Sequence, residues 1–321
     1  MQKAKEFWEG TEGRWQTEKW EHWLQHPSVQ ERINILTTGN PHRDRYQDFV
    51  ERYFPMPSGR SRRVDRVLTL GCGLGEFERG LAGYHLSAIH EAIDISEHAT
   101  TEASRLAKDA GLMHIQYRAE DLNAIELPPN TYDVVFGISS VHHIARLERL
   151  FHQVARSLKP GGYFLLDEFI GPSQFQWTDD QLAVINAELS RLPTDLRRHV
   201  ATGVVKEQWV RPTIKEMNAG DPSEAVRSAE ILPLVAEYFD VVEFKGYGGT
   251  VLHLLLEGIC ANFTEDDSRS MEYLREFFAL EDRLIASGKL THDFANIVTR
   301  KNPEKPAPAR TLSRWIGRLF R

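Results

Sequence analysis

Cysteine, positive charge and long apolar runs are scarce in this chain of 321 residues, and each scarcity excludes a class of protein. Two cysteines, Cys72 and Cys260, can build neither a disulfide framework nor a zinc site. A net charge of −7 argues against nucleic acid as the main partner, because a phosphate-binding surface needs excess Lys and Arg. With no run of about 18 apolar residues and no apolar secretory leader, we expect no membrane span and a cytoplasmic location.

A glycine-rich turn at residues 71–75 is the motif around which the rest of the chain is organised. The apolar run 66–70 predicts a buried strand, which ends at Gly71, Gly73 and Gly75 and passes directly into a helix. Glycine suits such a turn because it allows positive φ and a close approach of the backbone to a ligand. The spacing is G-x-G-x-G rather than the G-x-G-x-x-G of dinucleotide-binding folds, and no Lys-Ser/Thr pair follows as in a P-loop.

An acidic residue ends each of the next two predicted strands. Asp94 follows strand two, where a two-oxygen acceptor can bind ribose hydroxyls, as in proteins that bind NAD or S-adenosylmethionine. Asp121 follows strand three, Ile115–Ala119, and is placed to accept a hydrogen bond from an adenine amino group. This second acid favours S-adenosylmethionine over NAD.

Residues 64–169 resemble the class I S-adenosylmethionine-dependent methyltransferases in the glycine turn, in the two acids and in the Leu-Lys-Pro-Gly-Gly sequence at 158–162. The resemblance implies a Rossmann-like α/β fold with a seven-stranded, mostly parallel sheet and one antiparallel strand. It also implies S-adenosyl-L-methionine as the cofactor, with the glycine turn at its methionine part, Asp94 at the ribose and Asp121 at the adenine. The full set of expected cofactor-binding residues is Gly71, Cys72, Gly73, Gly75, Asp94, Ile95, Asp121, Leu122 and Ser139.

Four segments are expected along the chain. Residues 1–63 are helical and contain four tryptophans that either cap the core or form a lid over the cofactor: Trp8, Trp15, Trp20 and Trp23. Residues 64–300 form the methyltransferase domain, and residues 301–309 a proline-rich linker. Residues 310–321 form a basic amphipathic tail with four arginines and no acid, suited to a membrane surface, a partner protein or packing on its own sheet.

Within the domain we expect a helical insertion at about 171–238, which either builds the substrate pocket or only thickens the fold. We also expect a helix through Leu158, strand five at 163–166, strand six at 241–244, an apolar helix at about 250–263 and an antiparallel last strand at 294–298.

Candidate catalytic residues follow strand four, predicted to begin at 132–136, and strand five. His142 and His143 follow strand four, and Asp167 and Glu168 end strand five. Histidine titrates near neutrality, so it can serve as the base that a hydroxyl acceptor needs, and a neighbouring carboxylate can orient it. The arrangement resembles small-molecule and sugar O-methyltransferases, which implies that His142 or His143 is the base and Glu168 its partner, with Asp167 the next candidate. The alternative is that one of these histidines only begins the following helix or lines the cofactor pocket.

His253, on an apolar segment, is either an acceptor contact or a core histidine. No His, Asp or Glu cluster shows metal-ligand spacing, so no metal is expected unless distant loops bring three ligands together.

The flanking segments resemble methyltransferases of bacterial surface-polysaccharide assembly, at residues 20–27, 171–177 and 247–255. This resemblance favours O-methylation of a sugar hydroxyl on a glycan or glycolipid, by an enzyme held peripherally at the inner membrane face. Two alternatives are methylation of a diffusible small molecule, such as a natural product or phenol, and a non-catalytic S-adenosylmethionine-binding module that docks other enzymes.

Overall fold

The computed structural model describes residues 21–302. The predicted amphipathic tail at 310–321, the linker beyond residue 302 and three of the four N-terminal tryptophans, Trp8, Trp15 and Trp20, lie outside the described residues and remain predictions. In the described part, no helix has both the length and the apolar character needed to cross a bilayer.

One twisted sheet of seven strands forms the centre of the described structure. In chain order the strands are β1 (Val64–Leu70), β2 (Ser87–Asp94), β3 (Ile115–Ala119), β4 (Tyr132–Ile138), β5 (Leu158–Phe169), β6 (Phe239–Gly248) and β7 (Phe294–Lys301). Their spatial order is β3-β2-β1-β4-β5-β7-β6, and β7 runs antiparallel to both of its neighbours. The remaining neighbouring pairs are parallel. The predicted seven-stranded, mostly parallel α/β sheet with one antiparallel strand is therefore confirmed.

Ten α-helices accompany the sheet in residues 21–302. They are α1 (Pro27–Thr38), α2 (Arg45–Tyr53), α3 (Glu76–Leu81), α4 (Glu97–Asp109), α5 (Leu147–Ser157), α6 (Asp179–Arg191), α7 (Ile214–Ala219), α8 (Ser228–Tyr238), α9 (Leu252–Leu256) and α10 (Ser268–Ala286). Local sequence explains several of their ends. Ser96 caps α4 by accepting a hydrogen bond from the Ala99 amide, and Pro27 occupies the first position of α1, where its missing N–H is not needed.

Two predicted helices end earlier than expected. Leu158 was expected to belong to α5, but it has extended backbone, begins β5 and pairs with Tyr132 of β4. Pro160 cannot continue a helix, and a register shift between Tyr132 and Val134 accommodates the turn at 160–162 within the strand. The apolar helix predicted for about 250–263 is only α9, and a separate 3-10 turn follows at Cys260–Asn262.

The segment between β5 and β6 has two parts, although the sequence predicts it as one helical insertion. Ile231, Leu234 and Val235 of α8 are buried in the same apolar cluster as Leu150 and Phe151 of α5, so α8 is a crossover helix of the sheet. By contrast, α6 packs in a second apolar cluster with α9 and α10. The material that extends beyond a simple crossover is therefore residues 171–227.

Candidate functional site

A cavity of about 1380 Å³ opens at the carboxyl ends of the central strands. This volume exceeds the usual range of about 300–1,000 Å³ for a pocket that binds one small ligand, so it has room for a cofactor and an acceptor. Most of the expected cofactor residues line it: Gly71, Cys72, Gly73, Asp94, Ile95, Asp121, Leu122 and Ser139. The expected catalytic histidines, His142 and His143, line it as well.

The glycine turn has the geometry that its sequence predicts. Gly71 has a φ of +71°, and a Cβ at this position would lie 2.4 Å from the Cβ of Ser140, so no larger residue fits. Gly73 also has positive φ, but a Cβ there would meet nothing within 4 Å, because this residue faces open space. Its amide N–H donates to Asp94 Oδ2 at 2.8 Å. The turn is thus tied to the end of β2 and presents bare backbone to the cavity.

Asp94 and Asp121 are fixed by short local hydrogen bonds. Asp94 Oδ1 accepts from the amide of Ser96 at 2.9 Å, and burial raises the pKa of this carboxyl although its backbone hydrogen bonds oppose the shift. Asp121 Oδ1 accepts from the amide and the side chain of Asn123, at 2.8 and 3.1 Å. Both carboxylates are therefore held in place and remain at the cavity wall, where a nucleoside can reach them.

His142 forms a buried pair with Glu168. Its Nδ1 lies 2.7 Å from Glu168 Oε2, while Glu168 Oε1 accepts from the amides of Ser140 and Val141, each at 2.7 Å. With Glu168 ionised, Nδ1 carries the proton and Nε2 is left as the basic atom. Burial alone would lower the pKa of His142, but the adjacent Glu168 charge and hydrogen bond outweigh it, and the net shift is upward.

Asp167, the next candidate for this partner role, is engaged elsewhere. It is 2% exposed and accepts hydrogen bonds from the Tyr46 and Tyr247 hydroxyls, each at 2.6 Å, and from the Arg45 guanidinium. These bonds join α2, β5 and β6. Adjacent residues on one strand point to opposite faces, so Asp167 faces this structural cluster whereas Glu168 faces His142.

His143 and Glu224 complete the group around His142. Burial, reinforced by the nearby His142, lowers the pKa of His143 well below its ordinary value, and His143 Nδ1 lies 3.3 Å from Ser223 Oγ. Glu224 Oε1 lies 3.6 Å from His142 Nε2, and burial raises the pKa of Glu224. The geometry thus distinguishes two histidines that the sequence left equivalent. His142 Nδ1 lies 2.7 Å from Glu168 Oε2, whereas the buried Asp221 Oδ2 lies 3.7 Å from His143 Nδ1.

Three further polar residues line the same cavity: His22, His253 and Glu257. Among the described residues, two groups offer ligand atoms close enough together to hold a metal ion, His142–His143–Glu224 and His22–His253–Glu257. Each group combines residues that are far apart along the chain. The sequence predicted no metal, except where distant loops bring three ligands together. In the first group His142 is already paired with Glu168, so we treat that group as the acid–base cluster.

Sequence reasoning missed Asn123, Glu224, His22 and Glu257. Asn123 follows Asp121 by two residues, and its Oδ1 accepts from the amides of Ala145 and Arg146, so it links the loop after β3 to the start of α5. Its place two residues after Asp121, in an Asp-Leu-Asn sequence, could have indicated that it lies near the same site. Glu224 lies 82 positions after His142 along the chain (224 − 142), and no sequence pattern connects the two.

Comparison with known proteins agrees with this geometry. Residues 68–166 match the family model described as a methyltransferase domain. A fatty-acid O-methyltransferase of Mycolicibacterium smegmatis is 35% identical over 100 residues, which cover 31% of this chain and 35% of that enzyme. An S-adenosyl-L-methionine-dependent Diels-Alderase of Talaromyces variabilis is 26% identical over 207 residues, covering 62% of this chain and 66% of that protein.

The chain is also similar to solved structures, at lower sequence identity. A phosphoethanolamine N-methyltransferase of Haemonchus contortus, in complex with S-adenosyl-L-methionine, has a TM-score of 0.49 and 16% identity over 93% of this chain and 60% of that one.

Residues 68–166 are therefore similar to a methyltransferase domain, and the strand order of the sheet is consistent with that match. The predicted cofactor, S-adenosylmethionine, agrees with the match. The chain spans about a third of the length of the Mycolicibacterium enzyme, so the match leaves the acceptor open.

Proposed function

We propose that this protein is an S-adenosylmethionine-dependent O-methyltransferase in which His142 is the general base. The observation that carries the proposal is the His142–Glu168 pair, which is buried and lies in the same cavity as Asp94 and Asp121. A sulfonium methyl group is already activated, so an enzyme of this kind has to place the acceptor in line and remove its hydroxyl proton. His142 Nε2 can take that proton, and Glu168 stabilises the imidazolium that results.

In this arrangement the glycine turn holds the methionine part of the cofactor, Asp94 binds the ribose hydroxyls, and Asp121 with Leu122 holds the adenine. Cys72, Ile95 and Ser139 line that half of the cavity, whereas Gly75 lies against Tyr117 and does not line it. Ser139 has a φ of +48°, which is rare for a residue other than glycine and is typical of backbone held at a functional site.

We further propose that the acceptor is a polyhydroxylated molecule, such as a sugar on a glycan or glycolipid. The half of the cavity beyond the histidines combines aromatic rings, Phe169 and Phe175, with hydrogen-bonding groups such as Gln25, Glu224 and Glu257. Aromatic faces and multiple hydrogen-bonding groups suit a sugar, whereas a long acyl chain would favour a uniformly apolar lining.

The test is methyl transfer from labelled S-adenosylmethionine to matched panels of sugar, phenol and fatty-acid acceptors, with the product bond identified by mass spectrometry and NMR. We expect an O-methyl ether on a sugar hydroxyl. Transfer to phenols alone would contradict the sugar acceptor but retain the O-methyltransferase. Tight cofactor binding without transfer to any acceptor would favour a non-catalytic binding module.

A further inference from the structure

His22, His253 and Glu257 form a cluster outside the acid–base group. His22 precedes the 3-10 turn Trp23–Gln25, His253 lies in α9, and Glu257 follows directly after α9. One potential ligand atom from each of the three lies within 4.8 Å of the others. Two imidazoles and one carboxylate are the ligand set with which many proteins hold a divalent transition-metal ion while leaving coordination positions open.

Two polar atoms of this cluster are buried without a hydrogen-bond partner, His253 Nδ1 and Glu257 Oε2. His253 is 9% exposed and packs between aromatic rings, with Phe294 at 5.3 Å and Trp23 at 6.1 Å between ring centroids. Burying a polar atom without a hydrogen-bond partner lowers the stability of the fold, and an apolar side chain at either position would avoid that cost. A bound cation would satisfy both atoms at once.

The protonation states suit a cation. Burial lowers the pKa of His22 to about 4, and burial with nearby positive charge lowers the pKa of His253 well below its ordinary value. Both imidazoles are therefore neutral near pH 7, as a metal ligand must be. Burial raises the pKa of Glu257 to about 7, and the nearby Lys206 charge opposes this rise only in part. A bound cation would add a second positive charge beside the carboxylate and favour its ionised form.

The backbone around the cluster is held firmly. Glu281 Oε1 accepts from the amides of Val251 and Leu252 and anchors the start of α9. Lys206 Nζ donates to the carbonyl of Glu257 at 2.6 Å, and the Gly258 amide donates to the carbonyl of Glu21 at 2.8 Å. These bonds keep the three side chains together, although His22 is more than 200 residues before the other two along the chain.

We propose that His22, His253 and Glu257 bind one divalent first-row transition-metal ion whose open coordination positions face the cavity. Ligand atoms about 2.0–2.2 Å from such an ion lie roughly 3–4 Å apart, so a side-chain movement of about 1 Å completes the site. This movement would break only a weak hydrogen bond at His22, because the bond that its Nδ1 accepts from the Leu24 amide is long, at 3.4 Å. The open positions would hold an acceptor oxygen, a role that rests on the proposed function, whereas metal binding does not.

The test is titration of the chelator-stripped full chain with Mn²⁺ and Zn²⁺ by calorimetry, together with the visible absorption spectrum of the Co²⁺ form. We expect one ion per chain, and affinity at least tenfold weaker in Glu257→Gln and in His253→Gln. His152→Gln, an exposed histidine of α5, is the matched control and should bind as the wild type does.

Binding of S-adenosylhomocysteine by each variant shows that its fold is intact. It also separates this proposal from the methyltransferase proposal, because cofactor binding should persist when the metal is lost. The metal proposal is overturned if none of the three ions binds at concentrations up to about 1 mM. It is equally overturned if binding survives both substitutions, or if it depends on His142 and His143 instead of the proposed ligands.

Discussion

At the scale of single residues, the proposed function depends on the buried carboxylate beside His142 Nδ1. Glu168 holds the proton on Nδ1 and leaves Nε2 basic, while its charge overcomes the effect of burial and raises the pKa of His142. A base works only when it is unprotonated. Activity should therefore rise with pH through this raised pKa, so that the acid limb of the kcat profile lies above the ordinary histidine value of about 6.5.

Replacing Glu168 by Gln tests this role. The Gln side chain keeps an oxygen for the Ser140 and Val141 amides but turns an NH₂ group toward Nδ1, which forces the proton onto Nε2. We expect kcat to fall by about 10²–10⁴-fold, the acid limb of the residual activity to move to lower pH, and the affinity for S-adenosylmethionine to change little. His143→Gln is the comparison and should lower kcat less than Glu168→Gln does. A larger loss of kcat in His143→Gln would indicate that His143 is the base instead.

At the scale of secondary-structure elements, Asp167 joins α2 to β5 and β6 through Arg45, Tyr46 and Tyr247. Asp167→Ala leaves the buried Arg45 guanidinium without its counter-charge, so the free energy of unfolding should fall by about 3–5 kcal/mol. Adding Arg45→Met should recover part of that loss, because no unpaired charge then remains. Denaturant unfolding of the single and double variants provides the measurement.

Asp65→Ala is the control for this series, since Asp65 forms an exposed ion pair with Lys159 that should contribute no more than about 1 kcal/mol. Equal losses for Asp65→Ala and Asp167→Ala would show that the buried cluster has no special structural role.

The elements also show what the sequence can predict. Strands β1 to β3 follow from runs closed by Gly71, Asp94 and Asp121, because each depends on local pattern and turn chemistry. The end of α5 and the length of α9 were missed, since the pairing of Leu158 with β4 and the hydrogen bond from the Gly258 amide, just after α9, to the Glu21 carbonyl are tertiary effects. Local pattern does not record contacts between distant segments.

At the scale of the whole molecule, one cavity collects residues from nearly the entire described chain. The glycine turn and the two acids come from the first half of the sheet, and Glu224 and Glu257 come from segments outside it. The cofactor half was predictable because its residues follow consecutive strands within residues 64–169. The acceptor half was not, because His22 and Glu257 lie 235 positions apart along the chain (257 − 22) and only the fold brings them together.

The central claim is that this cavity binds S-adenosylmethionine with Asp121 at the adenine, and calorimetric titration with S-adenosylhomocysteine tests it most directly. Glu120, the exposed neighbour of Asp121, provides the matched control. We predict one bound molecule per chain for the wild type and for Glu120→Ala, and at least tenfold weaker binding for Asp121→Ala. No binding by the wild type, or equal binding by all three proteins, would contradict the account.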